Sequence, residues 1–541
     1  MYPHARDCLW PFAQATLTPW LADGLPLAML FTSYLFICFF LPVTLAVFLF
    51  LGWMKRFELA KLWLVFASLS FYAHWNTRFV GLLIASFTLN YAFGLLIARA
   101  RPSRAAGYLL AASVSLNLAC LAYFKYANFF IENINALSPG TLSTLQITLP
   151  LGISFYTFTQ IAFLVDVFRG IAVEFNFKNY ALFVTYFPHL IAGPILHHKQ
   201  MMPQFADHER YRARADNLII GLTYFCMGLV KKLFIADQLS PYASTAFAAS
   251  EHGPVPFMAA WGGALAYTFQ LYFDFSGYCD MAIGLSRMFG IQLPFNFNSP
   301  YQATSIIDFW RRWHMTLSAF LRDYVYIPFG GNRKGKIRRH INLLATMFLG
   351  GLWHGANWTF VLWGVLHGAL LVINHVWNDF CDRIGLVFSN PRVVRFFSIA
   401  VTFLCVMVLW IFFRATTFSS AEHMLVGMTG ATGLDLPHSF VPVLQSWHLP
   451  GADFGHELSV TDANGHSHVV HFPWGILALA LVITFASRNS QEIIMRAEAI
   501  HWETSPAARL IHVAWGLALA FTICASLLQV TQRSEFLYFQ F

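Results

Sequence analysis

His314, His354 and His367 are among the histidines of the stretch Ser305–Gly368, which also carries Asp308, Arg311, Arg312 and Arg322 in a chain otherwise dominated by aliphatic residues. A neutral imidazole is the usual side chain for taking a proton from an attacking hydroxyl near pH 7. An ionisable group inside an apolar segment is a functional candidate by default, because hydrocarbon solvates it poorly. His354, in "FLGGLWHGANWTF", meets that description. No G-x-S-x-G elbow occurs, so a serine acyl-enzyme is not expected. The pattern favours direct attack of a hydroxyl on an activated carbonyl such as a thioester, with His354 as the base.

The candidates need elements to position them. Ser305, three residues before Asp308 and ahead of an apolar-periodic run, predicts a capped helix start. At 100° per residue, Trp310, Trp313, Leu317, Phe320, Leu321 and Tyr324 fall on one stripe and Asp308, Arg311, Arg312 and Arg322 opposite, with His314 at the border. Such a helix is expected in the membrane interface or along a polar cavity. After the basic run Arg333–Arg339, the apolar piece Ile341–Leu352 reaches ~18 Å, against a hydrocarbon core of roughly 30 Å. The spacing predicts a bend at Gly350–Gly351 inside the membrane and His354 at a buried turn. On one straight helix His354 and His367 would lie ~20 Å apart, too far to act as a pair.

His314 and His354 are the candidate catalytic residues. Arg311, Arg312, Asp308, Trp313, Asn357 and Trp353 are the candidate substrate-binding residues. The structural alternatives are His354 as a hydrogen-bonded core residue, His314 as a cap of the helix–membrane contact, Arg311 and Arg312 as membrane-interface anchors, Asp308 as their ion-pair partner and cap, and Asn357 and His367 as groups that orient neighbours.

With 57% hydrophobic and 11% charged residues among 541, the composition describes an integral membrane protein. Spans are predicted near 33–54, 62–75, 79–98, 105–124, 147–168, 217–235, 255–285, 356–378, 396–413, 472–487 and 508–530, about eleven in all. Re-entrant pieces are predicted around 180–196 and 341–355. The fold class is therefore all-α, with transmembrane, re-entrant and interfacial helices embedded in lipid. The net charge of +8 comes from clusters beside apolar spans (Lys55–Arg56, Arg99–Arg104, Arg210–Arg214, Arg333–Arg339), a positive-inside pattern that argues against nucleic acid as a partner. Lys231–Lys232 read as an interfacial anchor. No Lys or Arg falls between Arg414 and Arg488, so the polar insert at about 431–471 is expected outside. Its histidines (His438, His448, His456, His466, His468, His471) are irregularly spaced and lack cysteines, so no metal site is expected there. The eight cysteines form no C-x-x-C pair and read as small apolar residues. Residues 1–28 lack the pattern of a signal peptide and read as an extension ahead of a single membrane domain, 29–541.

Six segments carry a resemblance: "LGISFYTFTQIAFLVDVFRG" (151–170), "YFPHLIAGPI" (186–195), "LVKKLFIADQLSPYA" (229–243), "YFDFSGYCDMAIGLSRMFGIQLPFNFNSPY" (272–301), "WRRWHMTLSAFLRDYVYIPFGGNR" (310–333) and "GGLWHGANWTFVLWGVLHG" (350–368). Together they resemble the membrane-bound O-acyltransferase family, in its bacterial branch of alginate O-acetylation and teichoic acid D-alanylation proteins. The resemblance covers roughly 29–430 and the last span. It implies that His354 matches the family's invariant histidine and His314 its second. It also implies a central tunnel where a cytoplasmic acyl donor meets an extracytoplasmic acceptor. Acetyl-CoA is the implied donor, with no permanently bound cofactor, and the implied acceptor is a secreted polysaccharide such as alginate or a cellulose-like polymer. Periplasmic acetyltransferase or esterase-like proteins are the implied partners, in the bacterial inner membrane. Peptidoglycan and teichoic acid are alternative acceptors. A transporter would show polar residues along several spans and a repeat, and neither is evident. A non-catalytic scaffold would tolerate loss of His354.

Overall fold

The computed structural model describes residues 29–433, 472–499 and 506–529, except 139, 141, 173 and 386–389, together with 459–461, 467–469 and 537. The extension 1–28 and most of the insert lie outside the described residues.

The chain is a succession of helices. After a wide turn of helix at Leu35–Phe40 come α1 (Leu41–Trp53), α2 (Phe57–Trp75), α3 (Arg78–Ala100) and α4 (Arg104–Leu137). Next are α5 (Ile153–Arg169), the short α6 (Phe177–Thr185), α7 (Phe187–Leu190) and α8 (His198–Ala206), then α9 (Ala215–Leu229), which runs through a π-helical stretch Val230–Ala236 into α10 (Asp237–Ser250). α11 (Phe257–Met288) leads to α12 (Ile306–Arg312), α13 (Met315–Leu321), α14 (Gly335–His354), α15 (Trp358–Ile384), α16 (Pro391–Arg414) and α17 (Phe418–Met428). A two-stranded antiparallel ribbon, Ser459–Thr461 with Ser467–Val469, lies in the insert. α18 (Trp474–Ala486), α19 (Ser490–Ala499) and α20 (Pro506–Gln529) follow.

Each of the eleven predicted spans coincides with a helix. Among the described residues six helical segments are long and apolar enough to cross a membrane on composition alone. The others are shorter or carry polar residues that neighbouring helices satisfy. Large apolar side chains stay exposed along the outer helices, among them Phe39, Trp53, Phe66, Tyr108, Phe396 and Phe397, at 61–78%. A contiguous apolar exterior of this kind calls for lipid around it, which makes the chain a multi-pass membrane protein. Polar contacts inside the bundle are reciprocal: Asn90 on α3 and Asn117 on α4 exchange hydrogen bonds of 3.1 and 2.6 Å, the kind of pairing that joins helices where water is absent.

The basic turns gather at one end of the bundle. Phe57 stacks on His208 at 4.7 Å, Glu58 pairs with Lys61 and Lys178 at 2.8 Å, the Arg101 guanidinium donates to the Val167 carbonyl at 3.3 Å, and Arg169 donates to the Asp323 carbonyl at 3.4 Å. Lys231 and Lys232 are not anchors at a membrane surface. Lys232 is buried between Asp274 (2.6 Å) and Asp237 (2.8 Å), and Lys231 pairs with Asp280 at 2.7 Å. Two adjacent lysines on one helix face two carboxylates of α11, and that pairing makes their burial tolerable.

Two predicted breaks fall elsewhere. α14 is one helix of 20 residues that takes in most of the basic run and continues through Gly350–Gly351 without a break. The glycines serve packing instead: a Cβ at Gly351 would lie 2.3 Å from the Phe360 carbonyl oxygen, and one at Gly364 2.3 Å from that of Met347, so α14 and α15 approach backbone to backbone. The helix predicted through Trp313 is broken at His314, which adopts a left-handed conformation (φ 40°, ψ 56°) between α12 and α13. The start is as predicted, with the Ser305 hydroxyl accepting from the Asp308 amide at 3.1 Å. The re-entrant piece near 180–196 is a buried, interrupted pair of short helices, α6 and α7.

Two hydrophobic cores fill the bundle. One is built from α1–α9, part of α11, α13 and Trp353. The other is built from α10, the first half of α11, α12 and α14–α18, with Trp310, Trp313, Trp363 and Trp410 at its centre.

Candidate functional site

His354 is the last residue of α14, and the chain then opens into an extended Gly355 before Asn357 caps α15. It lies where the two cores meet, its ring 4.8 Å from Trp353 of the first and 5.1 Å from both Trp363 and Phe413 of the second. The carbonyl end of α14 is closed from α4. Tyr126 donates to the Leu352 carbonyl at 2.8 Å, and the Lys125 ammonium donates to the carbonyls of Trp353 and, at 3.0 Å, His354. A cation there is favoured by the partial negative charge of a helix C-terminus.

His354, Trp353 and Lys125 line a cavity of about 80 Å³ with Trp75, Ile191 and the segment Leu149–Phe155, which leads into α5. α14 begins in the basic run and ends here, and 20 residues of helix span about 30 Å. His354 and its cavity therefore lie about 30 Å along α14 from the basic run. A larger cavity of about 290 Å³ lies beside Lys231, Thr223 and Trp515, away from the histidines. A small one of about 20 Å³, also touching Lys231 and Ser490, reaches Asn296.

Asn296 organises the second histidine. Its side-chain oxygen accepts from Thr316 Oγ1 at 2.6 Å and the Thr316 amide at 3.3 Å, and lies 3.3 Å from His314 Nδ1. The Thr316 hydroxyl in turn receives the Ile195 amide at 2.9 Å, tying the "HLIAGPI" segment to the same point. His314 is fully buried, its ring 6.2 Å from Trp353 and 4.9 Å from Phe275. The Trp353 ring is thus a neighbour that the two histidines share. His367 is nearer to His354 than a straight helix allows: α15 folds back along α14, and only Trp363 separates the two, 5.1 Å from one ring and 4.7 Å from the other. Trp310 Nε1 donates to His367 Nδ1 at 3.3 Å.

The remaining candidates sit outside the cavity. Asp308 pairs with Arg312 at 2.9 Å, one helical turn apart, and Arg311 is exposed on the same helix. Trp313 packs in the second core, 4.9 Å from Trp410. Asn357 caps α15 by accepting from the Thr359 amide at 3.1 Å and donates to the Thr416 carbonyl at 2.8 Å. The residues added by the structure are Lys125, Tyr126, Asn296 and Thr316. Of these only Lys125 carried a signal, a lysine amid the apolar run of α4.

The arrangement is a buried imidazole at a helix break, inside a multi-pass membrane bundle and beside a cavity. The profile of the membrane-bound O-acyltransferase family matches residues 169–417. The peptidoglycan O-acetyltransferase of Helicobacter pylori is 37% identical over 542 residues, covering 95% of this chain and 98% of that protein. The probable alginate O-acetylase of Pseudomonas aeruginosa is 44% identical over 408 residues, 74% of this chain and 75% of that one. The teichoic acid D-alanyltransferase of Streptococcus thermophilus is 30% identical over 250 residues, 44% of this chain and 59% of that one. The chain belongs to the membrane-bound O-acyltransferase family and is an O-acyltransferase.

Proposed function

We propose that this O-acyltransferase moves an acetyl group from acetyl-CoA at the cytoplasmic face of a bacterial inner membrane to hydroxyl groups of a glycan outside it. The observation that carries the reading is the position of His354, at the far end of α14 from the basic run and beside a cavity. With basic turns on the cytoplasmic side, that cavity faces outward, where a glycan hydroxyl arrives. The donor approaches from the basic end.

In the reaction His354 takes the hydroxyl proton as the oxygen attacks the thioester carbonyl. Collapse of the tetrahedral intermediate expels the CoA thiolate, which takes up the proton, leaving an ester and free CoA. His314 and Asn296 fix the wall behind Trp353. The H. pylori relative spans nearly the whole chain, insert included, which favours peptidoglycan as acceptor. The higher identity to alginate O-acetylases supports a secreted polysaccharide as the second reading. Periplasmic acetyltransferase or esterase-like proteins are the partners that carry acetyl onward where the polymer does not itself enter the cavity.

The test is the acetyl content of peptidoglycan and of secreted polymer in cells carrying wild type or His354→Ala at matched membrane levels. Loss of acetyl from one polymer, with that polymer still made, identifies the acceptor and the base. Unchanged acetylation in both would sink the assignment of His354.

A further inference from the structure

Lys125 is a lysine within a long apolar helix, and proton removal by His354 does not account for it. Hydrocarbon makes such a residue costly, so its retention asks for a task. Closing the end of α14 does not by itself demand a charge, since the neighbouring Tyr126 closes the Leu352 carbonyl with a neutral hydroxyl. The Lys125 ammonium has three N–H donors, and two are engaged by the carbonyls of Trp353 and His354. It lies 5.9 Å from the Trp353 ring centroid and lines the same cavity as His354. A second donor belongs to a residue of that lining: the indole N–H of Trp353, a residue only 5% exposed, is buried and has no hydrogen-bond partner among the described residues. Gly152–Ser154, also in the lining, form the N-terminal end of α5, which adds positive potential.

A base alone does not lower the barrier to attack on a thioester. The carbonyl oxygen becomes an anion in the tetrahedral intermediate and needs donors fixed beforehand around it. We propose that Lys125 is a second catalytic residue, whose ammonium stabilises that oxyanion, with the Trp353 N–H as the other donor. This rests on the acetyl-transfer reading above. As the C–O bond to the acceptor forms, the carbonyl π electrons move onto oxygen and are held by Lys125 and Trp353. When the C–S bond breaks they return, and the thiolate leaves with the proton that His354 had taken.

The test uses the full chain in lipid nanodiscs, with acetyl-CoA and chito-oligosaccharide or mannuronate oligomers as acceptors, reading release of free CoA. Lys125→Met is expected to lower kcat by roughly 10²–10³-fold, the usual loss of an oxyanion donor, with the KM for acetyl-CoA little changed. Lys125→Gln keeps an N–H for the helix carbonyls without the charge and is expected to fall comparably, which keeps the test valid if the Met variant fails to fold. Trp353→Phe is expected to lose about tenfold or more. Tyr126→Phe loosens the same helix end outside the cavity and is expected to lose far less. Wild-type rates in Lys125→Gln, or a loss in Tyr126→Phe equal to that in Lys125→Met, would overturn the proposal and leave Lys125 as a helix cap. A wild-type chain that releases no CoA with any acceptor overturns the donor assignment and this proposal with it.

Discussion

His314 holds a backbone conformation that β-carbon-bearing residues adopt rarely, at φ 40°, and such strain persists only where surrounding contacts over-determine it. Asn296 supplies them, by receiving the Thr316 hydroxyl and amide and facing the His314 ring. The backbone role and the imidazole role can be separated, because Asn tolerates the left-handed region better than most residues. His314→Asn is expected to keep the fold and lower kcat by about ten- to a hundredfold, less than the roughly 10²–10⁴-fold expected of removing a general base at His354. Steady-state rates and thermal midpoints on the two variants check this. An equal loss in both with unchanged midpoints would make His314 a second base and not a positioning residue.

At the level of elements, the site depends on the α14–α15 hairpin. Its two helices touch at Gly351 and Gly364, whose Cα atoms an added Cβ would meet at 3.0 Å, with a carbonyl oxygen closer still. The contact draws Trp363 across the His354 ring and brings His367 behind it. Gly364→Leu is therefore expected to push the helices apart, at a cost of about 1–3 kcal/mol or more, and to abolish transfer. Gly81 on α3 has nothing within 4 Å of its Cβ position, so Gly81→Ala is expected to leave both stability and rate at wild-type levels or slightly above. Thermal unfolding followed in detergent, with acyl transfer on the same samples, distinguishes the two. A Gly364→Leu protein of normal stability would show that the close approach is dispensable.

Across the whole molecule, basic turns meet at one side through contacts such as Arg101 with Val167 and Arg169 with Asp323, and the cavity beside His354 lies about 30 Å away along α14. Cysteine placed at Lys336, whose side chain is 61% exposed, should react with membrane-impermeant maleimide only after the cells are opened. Cysteine at Leu137, 90% exposed at the end of α4, should react in intact spheroplasts, each measured against the parent chain to discount native thiols. The reverse pattern would place the His354 cavity on the cytoplasmic side and overturn transfer to an outside acceptor.

Much of this was legible in the residues alone. The apolar runs marked the helices, because a segment in hydrocarbon must satisfy its own backbone hydrogen bonds. Ser305 announced the start of α12. His354 at a buried turn was expected from a bend at Gly350–Gly351, whereas the turn comes from the extended Gly355 and the Asn357 cap. These are interactions between residues a few positions apart. Contacts that depend on distant partners were decided only by the tertiary structure. The break at His314 is imposed by Asn296, 18 positions upstream. Gly350–Gly351 packs instead of bending because α15 lies against it. Lys231 and Lys232 are buried because α11 presents Asp274 and Asp280 to them. Lys125 enters the site from 229 positions away to close the helix that carries His354. Local pattern determined which segments are helices; packing between remote segments decided where the break at His314 falls and which side chains surround His354.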